Sequence, residues 1–196
     1  MGRGALGRRS LALALALTLA LLATPAARSE VLEEHEHAPY PVHAGPGQTL
    51  RAALNAATPI TAGGQRFHGY THWSVRWNFG WQQDGAGRCR ITRVTTRLHT
   101  RIQMPELRSG TTEQEAQFQR YHRALHQHEQ GHVQFGRQAA QAIDQGIAAL
   151  PQAPDCPTLE RQANDLGQRL LAEQVAAEKA YDRRTGHGAT QGAQLD

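Results

Sequence analysis

The sequence predicts an α+β fold in which a small antiparallel sheet packs on two long antiparallel helices. Residues 71–81 alternate between aromatic and polar side chains, which is the two-residue period of a half-buried strand. Residues 118–142 carry a core-facing stripe at three- and four-residue spacing, which is the period of an amphipathic helix. A second helical segment follows a proline-rich stretch, so the chain is expected to fold back on itself there.

The strands are preceded by a tail and one short helix. Residues 30–46 are acidic and contain histidine, proline and glycine, which predicts a flexible tail. Residues 49–57 are interpreted as a short helix. The aromatic face of the strand at 71–81 is interpreted as core rather than as a ligand platform, because large aromatic side chains are usually buried.

A hairpin follows from the turn after the first strand. Asp84-Gly85 begins a turn, and a second strand is predicted over 89–103. Its hydrophobic phase changes between Ile91 and Val94, which indicates a bulge.

Two long helices complete the fold. Thr112 and Glu115 have the spacing of a capping box and predict a helix over 113–149. Three prolines between 151 and 157 interrupt the chain, and a last helix is predicted over 157–183.

The first residues are interpreted as a signal peptide over 1–29. Arginines open the chain, an apolar run covers 11–23, and small residues surround Ala26. The run is short for a membrane span, so cleavage is favoured over an uncleaved anchor and no stable membrane insertion is expected afterwards. The predicted location is the periplasm or the medium, with the mature domain over 47–196.

The charge balance argues against nucleic acid as a partner. The chain has 21 Lys+Arg and 17 Asp+Glu, but four of the arginines lie in residues 1–28, where there is no acid. The mature chain is therefore close to neutral, and the basic character of the full sequence belongs to the leader.

Two cysteines, Cys89 and Cys156, are the only ones in the chain. An exported protein forms disulfides readily, so the two are expected to pair. The bond would tie the second strand to the start of the last helix.

The pentapeptide His128-Glu-Gln-Gly-His132 is the main functional signal. Residues four apart lie on one face of a helix, so the two imidazoles can bind one zinc ion, and Glu129 can act on a water there as a general base. Both histidines belong to the apolar stripe, and buried polar groups need partners. The alternative is a pair of core histidines bonded to backbone or water. Gly131 indicates either close packing beside the site or a tolerated helix glycine.

A catalytic zinc site needs a third protein ligand. The metzincin pattern would require glycine at 135 and histidine at 138, where this chain has phenylalanine and glutamine. Folding the last helix back places its end level with His132, which makes Glu178, Asp182 and His187 the candidates.

The chain resembles the bacterial domain-of-unknown-function family 922, a predicted secreted zinc-dependent protease, in four features. These are the pentapeptide, the segment Tyr181–Gly188, the strand Thr71–Trp77 and the paired cysteines. The resemblance covers nearly the whole mature chain and implies a zincin-like fold and peptidase activity. The recognised pattern begins at Tyr181-Asp182, which favours His187 and then Asp182 over Glu178. If His187 is the ligand, Asp182 orients a ligating histidine. If Asp182 is the ligand, His187 or Tyr181 stabilises the oxyanion.

The sequence therefore predicts an exported metallopeptidase with one Zn²⁺ per chain, Glu129 as base and a peptide or protein substrate. In a zincin-like domain an edge strand binds the peptide, and the strand at 89–103 is the candidate. The rival is a periplasmic zinc-binding or interaction protein on the same scaffold, without turnover. Substrate and oligomeric state are not indicated. Serine chemistry is poorly supported, because Ser74 and Ser109 lack a GxSxG setting.

Overall fold

A computed structural model describes residues 27–195, and over that range the protein is α+β, as predicted. The predicted leader lies almost entirely outside the described residues. The elements are a set of strands, three helices and a final 3-10 turn: β1 (Arg28–His43), α1 (Leu50–Ala57), β2 (Thr61–Ala62), β3 (Gln65–Arg66), β4 (Tyr70–Gln83), β5 (Cys89–Ser109), α2 (Thr112–Ala148), α3 (Cys156–Thr185) and the 3-10 turn Ala189–Gln191.

The main sheet is mixed, with the order β1-β5-β4. The prediction of a flexible tail over 30–46 is wrong, because residues 28–43 form β1 and pair in parallel with β5. Partners distant in sequence hold its polar side chains: Arg137 on α2 pairs with Glu33, and Arg101 on β5 pairs with Glu36. A strand that is acidic in composition is stabilised here by backbone pairing and by these neighbours.

The predicted hairpin and its bulge are confirmed. β4 and β5 pair antiparallel, and the register shifts between Gly80 and Trp81, which face Arg93 and Ile91 respectively. The prediction that β5 is the edge strand is wrong, because β1 covers one side of it and β4 the other. β4 is therefore the free edge on the hairpin side of this sheet.

The aromatic face of β4 is core for most of its length. Trp73 and Val75 are buried, Trp77 and Phe79 are half-buried, and Trp81 at the end of the strand is 42% exposed. This face packs against α2 and α3.

The capping box of α2 lies one residue earlier than the sequence predicted. The Thr111 side chain accepts from the Gln114 backbone, and the Gln114 side chain accepts from the Thr111 backbone. α2 also contributes to both hydrophobic clusters of the molecule: Leu125 and Val133 pack in one, and Ala139 and Ile143 in the other. The helix that carries the pentapeptide is thus anchored at both ends.

The predicted disulfide is present and joins Cys89, at the start of β5, to Cys156, at the start of α3. Such a bond persists in oxidising, extracytoplasmic environments. Among residues 27–195, no helix is both long and apolar enough to cross a membrane.

Candidate metal centre

His128 and His132 lie one turn apart on the buried face of α2 and are 3% and 8% exposed. Their Nε2 atoms are 3.2 Å apart, and the rings are nearly perpendicular. The two imidazoles therefore converge on one point, as the four-residue spacing predicted.

The other nitrogen of each ring is held by a side-chain oxygen. Nδ1 of His128 donates to Oε1 of Gln191, and Nδ1 of His132 donates to Oε1 of Glu178, both at 2.9 Å. Because these oxygens only accept, each Nδ1 carries its hydrogen and each Nε2 faces the common point. Among the described residues, the ring nitrogens of both histidines contact side chains and not backbone.

Asp182 on α3 supplies the third group. Its Oδ1 lies 3.2 Å from Nε2 of His128 and 3.0 Å from Nε2 of His132, without hydrogen-bond geometry to either. This buried oxygen has no hydrogen-bond donor within the described part of the chain. The three ligand-type atoms form a compact cluster with the composition of a metal site.

The electrostatics of the cluster favour a cation. Burial alone lowers the pKa of His132, but the Asp182 and Glu178 carboxylates outweigh it and raise the pKa to about 10 in the metal-free protein. Burial also raises the pKa of Asp182, and the neighbouring imidazoles of His128 and His132 overcome that effect and lower it below its ordinary value. A second proton on His132 would lie on Nε2, 3.0 Å from Oδ1 of Asp182, in the place that a metal ion would take.

The spacing of the three atoms fits zinc. Ligand bonds of about 2.0–2.1 Å in a tetrahedron place ligand atoms about 3.3 Å apart. The observed separations are 3.0–3.2 Å. The chemistry of two imidazoles and one carboxylate is also that of a catalytic zinc site with an open position.

Glu129 lies beside the cluster and is 3% exposed. Its Oε2 accepts a hydrogen bond of 2.7 Å from the Thr71 hydroxyl on β4. Burial raises the pKa of Glu129, although Thr71 and the two histidines act in the opposite direction. A carboxyl with a raised pKa is suited to exchange protons near neutral pH.

Gly131 makes room for Tyr181. A Cβ at Gly131 would lie 2.2 Å from the Tyr181 hydroxyl, so close packing explains this glycine. The hydroxyl lies 3.2 Å from the His128 carbonyl, to which it donates, and also contacts Gln191, while the ring stacks on His128. Tyr181 is not among the residues that line the cleft described below, and its role at the oxyanion stays a prediction. In the structure it holds the position of His128.

The cluster opens into a cleft of about 920 Å³. One wall is the segment 69–75, which includes the start of the β4 edge, and other walls come from α1, α2 and α3. Glu129 lies on the same wall as His128 and His132, and a Cβ at Gly69 would meet its Oε1 at 2.5 Å. The cluster of His128, His132 and Asp182, the buried acid and a free strand edge therefore share one opening.

The structure brings Asp182, the second choice for the third ligand, into the cluster with His128 and His132. His187, the first choice, is outside the cluster: its Nδ1 is 3.6 Å from Oδ2 of Asp182, and its ring packs on Phe67. The chain passes through left-handed backbone at Gly186, His187 and Gly188, which directs the imidazole outward to 52% side-chain exposure. Glu178 is also outside the cluster and contacts Nδ1 of His132 rather than Nε2.

Two site residues were missed from the sequence. Gln191 lies in a 3-10 turn among the last residues, which have no periodic pattern. Thr71 was recognised only as part of a strand, and its contact with Glu129 joins residues 58 apart in the chain. Polar contacts of this separation have no local sequence signal.

The sequence profile of one family, described as "Bacterial protein of unknown function (DUF922)", matches residues 37–188. The match includes β4, β5, α2 and the segment that carries Asp182 and His187. No curated protein matches the chain, and no solved structure matches it.

Proposed function

The chain belongs to DUF922, a family of bacterial proteins of unknown function, and from its own residues we propose that it is an exported zinc-dependent metallopeptidase with a zincin-like fold. The observation that carries the proposal is the convergence of three ligand atoms next to a buried glutamate in an open cleft. His128, His132 and Asp182 would hold one Zn²⁺. The unpartnered Oδ1 of Asp182 is the atom that most needs such an ion.

Bound zinc would lower the pKa of a coordinated water to about 7 and polarise a substrate carbonyl. Glu129 is the residue that accepts the proton of the attacking water and delivers it to the leaving amine. Burial raises the pKa of its carboxyl above the ordinary value, which favours proton exchange, and the Thr71 hydroxyl fixes its orientation. Glu129 faces the cleft, where a substrate would bind.

The β4 edge is the proposed docking strand for the substrate. Residues 70–75 line the cleft, and no other strand of residues 27–195 pairs with that side of β4. An extended peptide can add to such an edge through backbone hydrogen bonds, which places its peptide bonds along the cleft. This replaces the strand at 89–103 that the sequence suggested.

His187 is the proposed group for the developing oxyanion. Its side chain lines the cleft, and its Nδ1 faces Oδ2 of Asp182 at 3.6 Å. When both nitrogens of this imidazole are protonated, Nδ1 faces the carboxylate and Nε2–H is left to stabilise negative charge on a substrate oxygen. This is the role that remained for His187 if Asp182 is the ligand.

The proposed location is the periplasm or the medium. The disulfide requires an oxidising compartment, and the N-terminal sequence has the pattern of a signal peptide.

Glu129→Gln tests the proposed function. The variant should keep its zinc and lose peptide hydrolysis by about 10²–10⁴-fold, because the amide cannot accept the water proton. Glu173→Gln, an exposed change on α3, is the matched control and should hydrolyse peptides as the wild type does. Equal turnover in the Glu129 and Glu173 variants would show that Glu129 is not the base.

A non-catalytic zinc-binding or interaction protein is the second candidate. The observation behind it is that His187 lies next to the cluster, with Nδ1 3.6 Å from Oδ2 of Asp182, so that a change of its side-chain rotamer would bring a fourth protein ligand to the site. Firm zinc binding by four protein ligands, with no hydrolysis of any peptide, would support this candidate, because a catalytic zinc keeps an open position.

A further inference from the structure

We propose that Trp73 is a positioning residue of the metal centre, which fixes the Glu178 carboxylate so that Glu178 in turn orients His132. The inference rests on the proposed zinc site. It concerns how tightly the site holds its ion, and it assigns to β4 a role beyond substrate docking.

One oxygen atom carries the connection. Oε1 of Glu178 accepts a hydrogen bond of 2.8 Å from the indole Nε1 of Trp73. The same oxygen accepts a hydrogen bond of 2.9 Å from Nδ1 of His132. A strand and two helices thus meet at a single carboxylate oxygen, with Trp73 on β4, Glu178 on α3 and His132 on α2.

Trp73 itself is held rigidly. Its side chain is 8% exposed and lies against α2 at Gly136, where an added Cβ would be 3.0 Å from the indole Cγ. The same position is closed by Leu98 of β5, also 3.0 Å away. The absence of a side chain at Gly136 lets the indole lie flush on the helix, so its N–H has a fixed direction.

This fixed donor matters because a glutamate side chain is flexible. Without a second partner, the Glu178 carboxylate could rotate away from the His132 ring, and ordering it on metal binding would cost conformational entropy. With the indole N–H in place, the carboxylate is already aligned in the metal-free protein. Partners of this kind fix the ring orientation and increase the basicity of a histidine ligand.

The two histidines are supported differently. His128 has a neutral partner, the Gln191 amide, whereas His132 has a carboxylate. The Trp73–Glu178 pair therefore acts on His132, whose partner is charged. Loss of the indole N–H should mainly lower the affinity of the site for its metal ion.

The chain offers a matched control on the same strand. The indole Nε1 of Trp77 donates to the Asn164 side chain on α3 at 3.2 Å, and its ring packs on Gly167. Trp77→Phe removes an indole N–H to α3, as Trp73→Phe does, but far along α3 from the metal cluster. Trp77 is half-buried where Trp73 is buried, so loss of packing should be smaller in this control, and the Glu178→Ala background described below removes that difference.

The experiment measures the zinc dissociation constant of the full mature chain by competition with a chromogenic chelator. Trp73→Phe should bind zinc about tenfold more weakly than the wild type, in line with the effect of removing an outer partner of a metal ligand. Trp77→Phe should stay within about twofold. The visible spectrum of the cobalt-substituted protein should also change in the Trp73 variant and not in the Trp77 variant.

A second pair of variants separates positioning from damage to the fold. In a Glu178→Ala background, Trp73→Phe should cause no further loss of zinc affinity, because the two residues act through one contact. The role of Trp73 would be overturned, and the proposed function left standing, by equal zinc affinities for the Trp73 and Trp77 variants. The same holds if Trp73→Phe weakens zinc binding as much in the Glu178→Ala background as in the wild type. A wild-type chain that binds no zinc would overturn both this inference and the proposed function, whereas zinc binding without hydrolysis would overturn only the latter.

Discussion

Asp182→Asn distinguishes the two leading choices for the third zinc ligand. The substitution keeps the size of the side chain and removes the charge of an oxygen that lies 3.0–3.2 Å from both imidazole Nε2 atoms. That oxygen is buried and has no hydrogen-bond donor among the described residues, so the loss of its charge should act directly on metal binding. His187→Ala removes the competing candidate, and Asp165→Asn is an exposed control on the same helix.

The size of the effect follows from the number of ligands. Zinc binding worth about 10–16 kcal/mol over four ligands corresponds to about 2.5–4 kcal/mol for each ligand. At about 1.4 kcal/mol for each factor of ten, loss of one ligand weakens binding by about 10²–10³-fold. The asparagine oxygen remains a weak donor to the metal, so the lower end of this range is expected for Asp182→Asn.

The assay is competition with a chelator at fixed pH and salt, with circular dichroism to confirm that each variant is folded. Asp182→Asn should lose about a hundredfold in zinc affinity, while His187→Ala and Asp165→Asn stay within about threefold of the wild type. The reverse order, with His187→Ala losing the metal and Asp182→Asn retaining it, would refute the assignment of Asp182.

Three further predictions concern stability. Replacing Cys89 and Cys156 together with serine should lower the free energy of unfolding by about 4 kcal/mol, because the bond spans 67 residues; a melting temperature within about 3 °C of the wild type would contradict this. Gly131→Ala should have a lower melting temperature than Gly146→Ala, because the added Cβ meets its nearest atom at 2.2 Å in the first variant and at 3.2 Å in the second. Both variants gain about 1 kcal/mol of helix propensity, and the clash at Gly131 should outweigh that gain. Equal melting temperatures would show that the structure around Gly131 accommodates the methyl group. Burial lowers the pKa of His68 to about 4 from an ordinary 6.5. Between pH 4 and pH 6.5 the unfolded chain therefore binds more protons than the folded chain. Stability measured in urea should therefore fall by about 1–2 kcal/mol from pH 6.5 to pH 4 after allowance for partial exposure, and an unchanged pH slope in His68→Asn would exclude this origin.

The spacing of hydrophobic residues was sufficient to predict the two long helices and to predict that the end of the last helix lies near the two histidines. Folding the last helix back on α2 placed residue 175 level with His132, and the structure places Glu178 there. The difference of three residues is less than one helical turn. It arises in the connection, where Ala153 pairs with Cys89 of β5 and the chain does not reverse tightly.

β1 could not be predicted because its stability depends on distant partners. Its acidic residues have the composition of a solvated tail, yet Glu33 binds Arg137 from 104 residues away, and the backbone pairs with β5 over 65 residues of sequence separation. Parallel pairing of this kind is non-local and leaves a weak trace in the sequence.

The third ligand was ambiguous for a related reason. His187, Asp182 and Glu178 were all placed close to His132 by the helix geometry, but backbone in the left-handed region around Gly186 and Gly188 turns the His187 ring outward. Whether a side chain at a helix end points into a site depends on one or two backbone angles. The spacing of residues does not specify those angles.

The most direct test of the metal centre is the zinc content of the purified mature protein after dialysis, measured by elemental mass spectrometry beside a His132→Ala control. The proposed site predicts about one zinc per chain in the wild type and loss of that zinc in the control, because the imidazole is one of three ligands. Absence of zinc from the wild type, or equal zinc in the two proteins, would contradict the assignment of His128, His132 and Asp182 as its ligands.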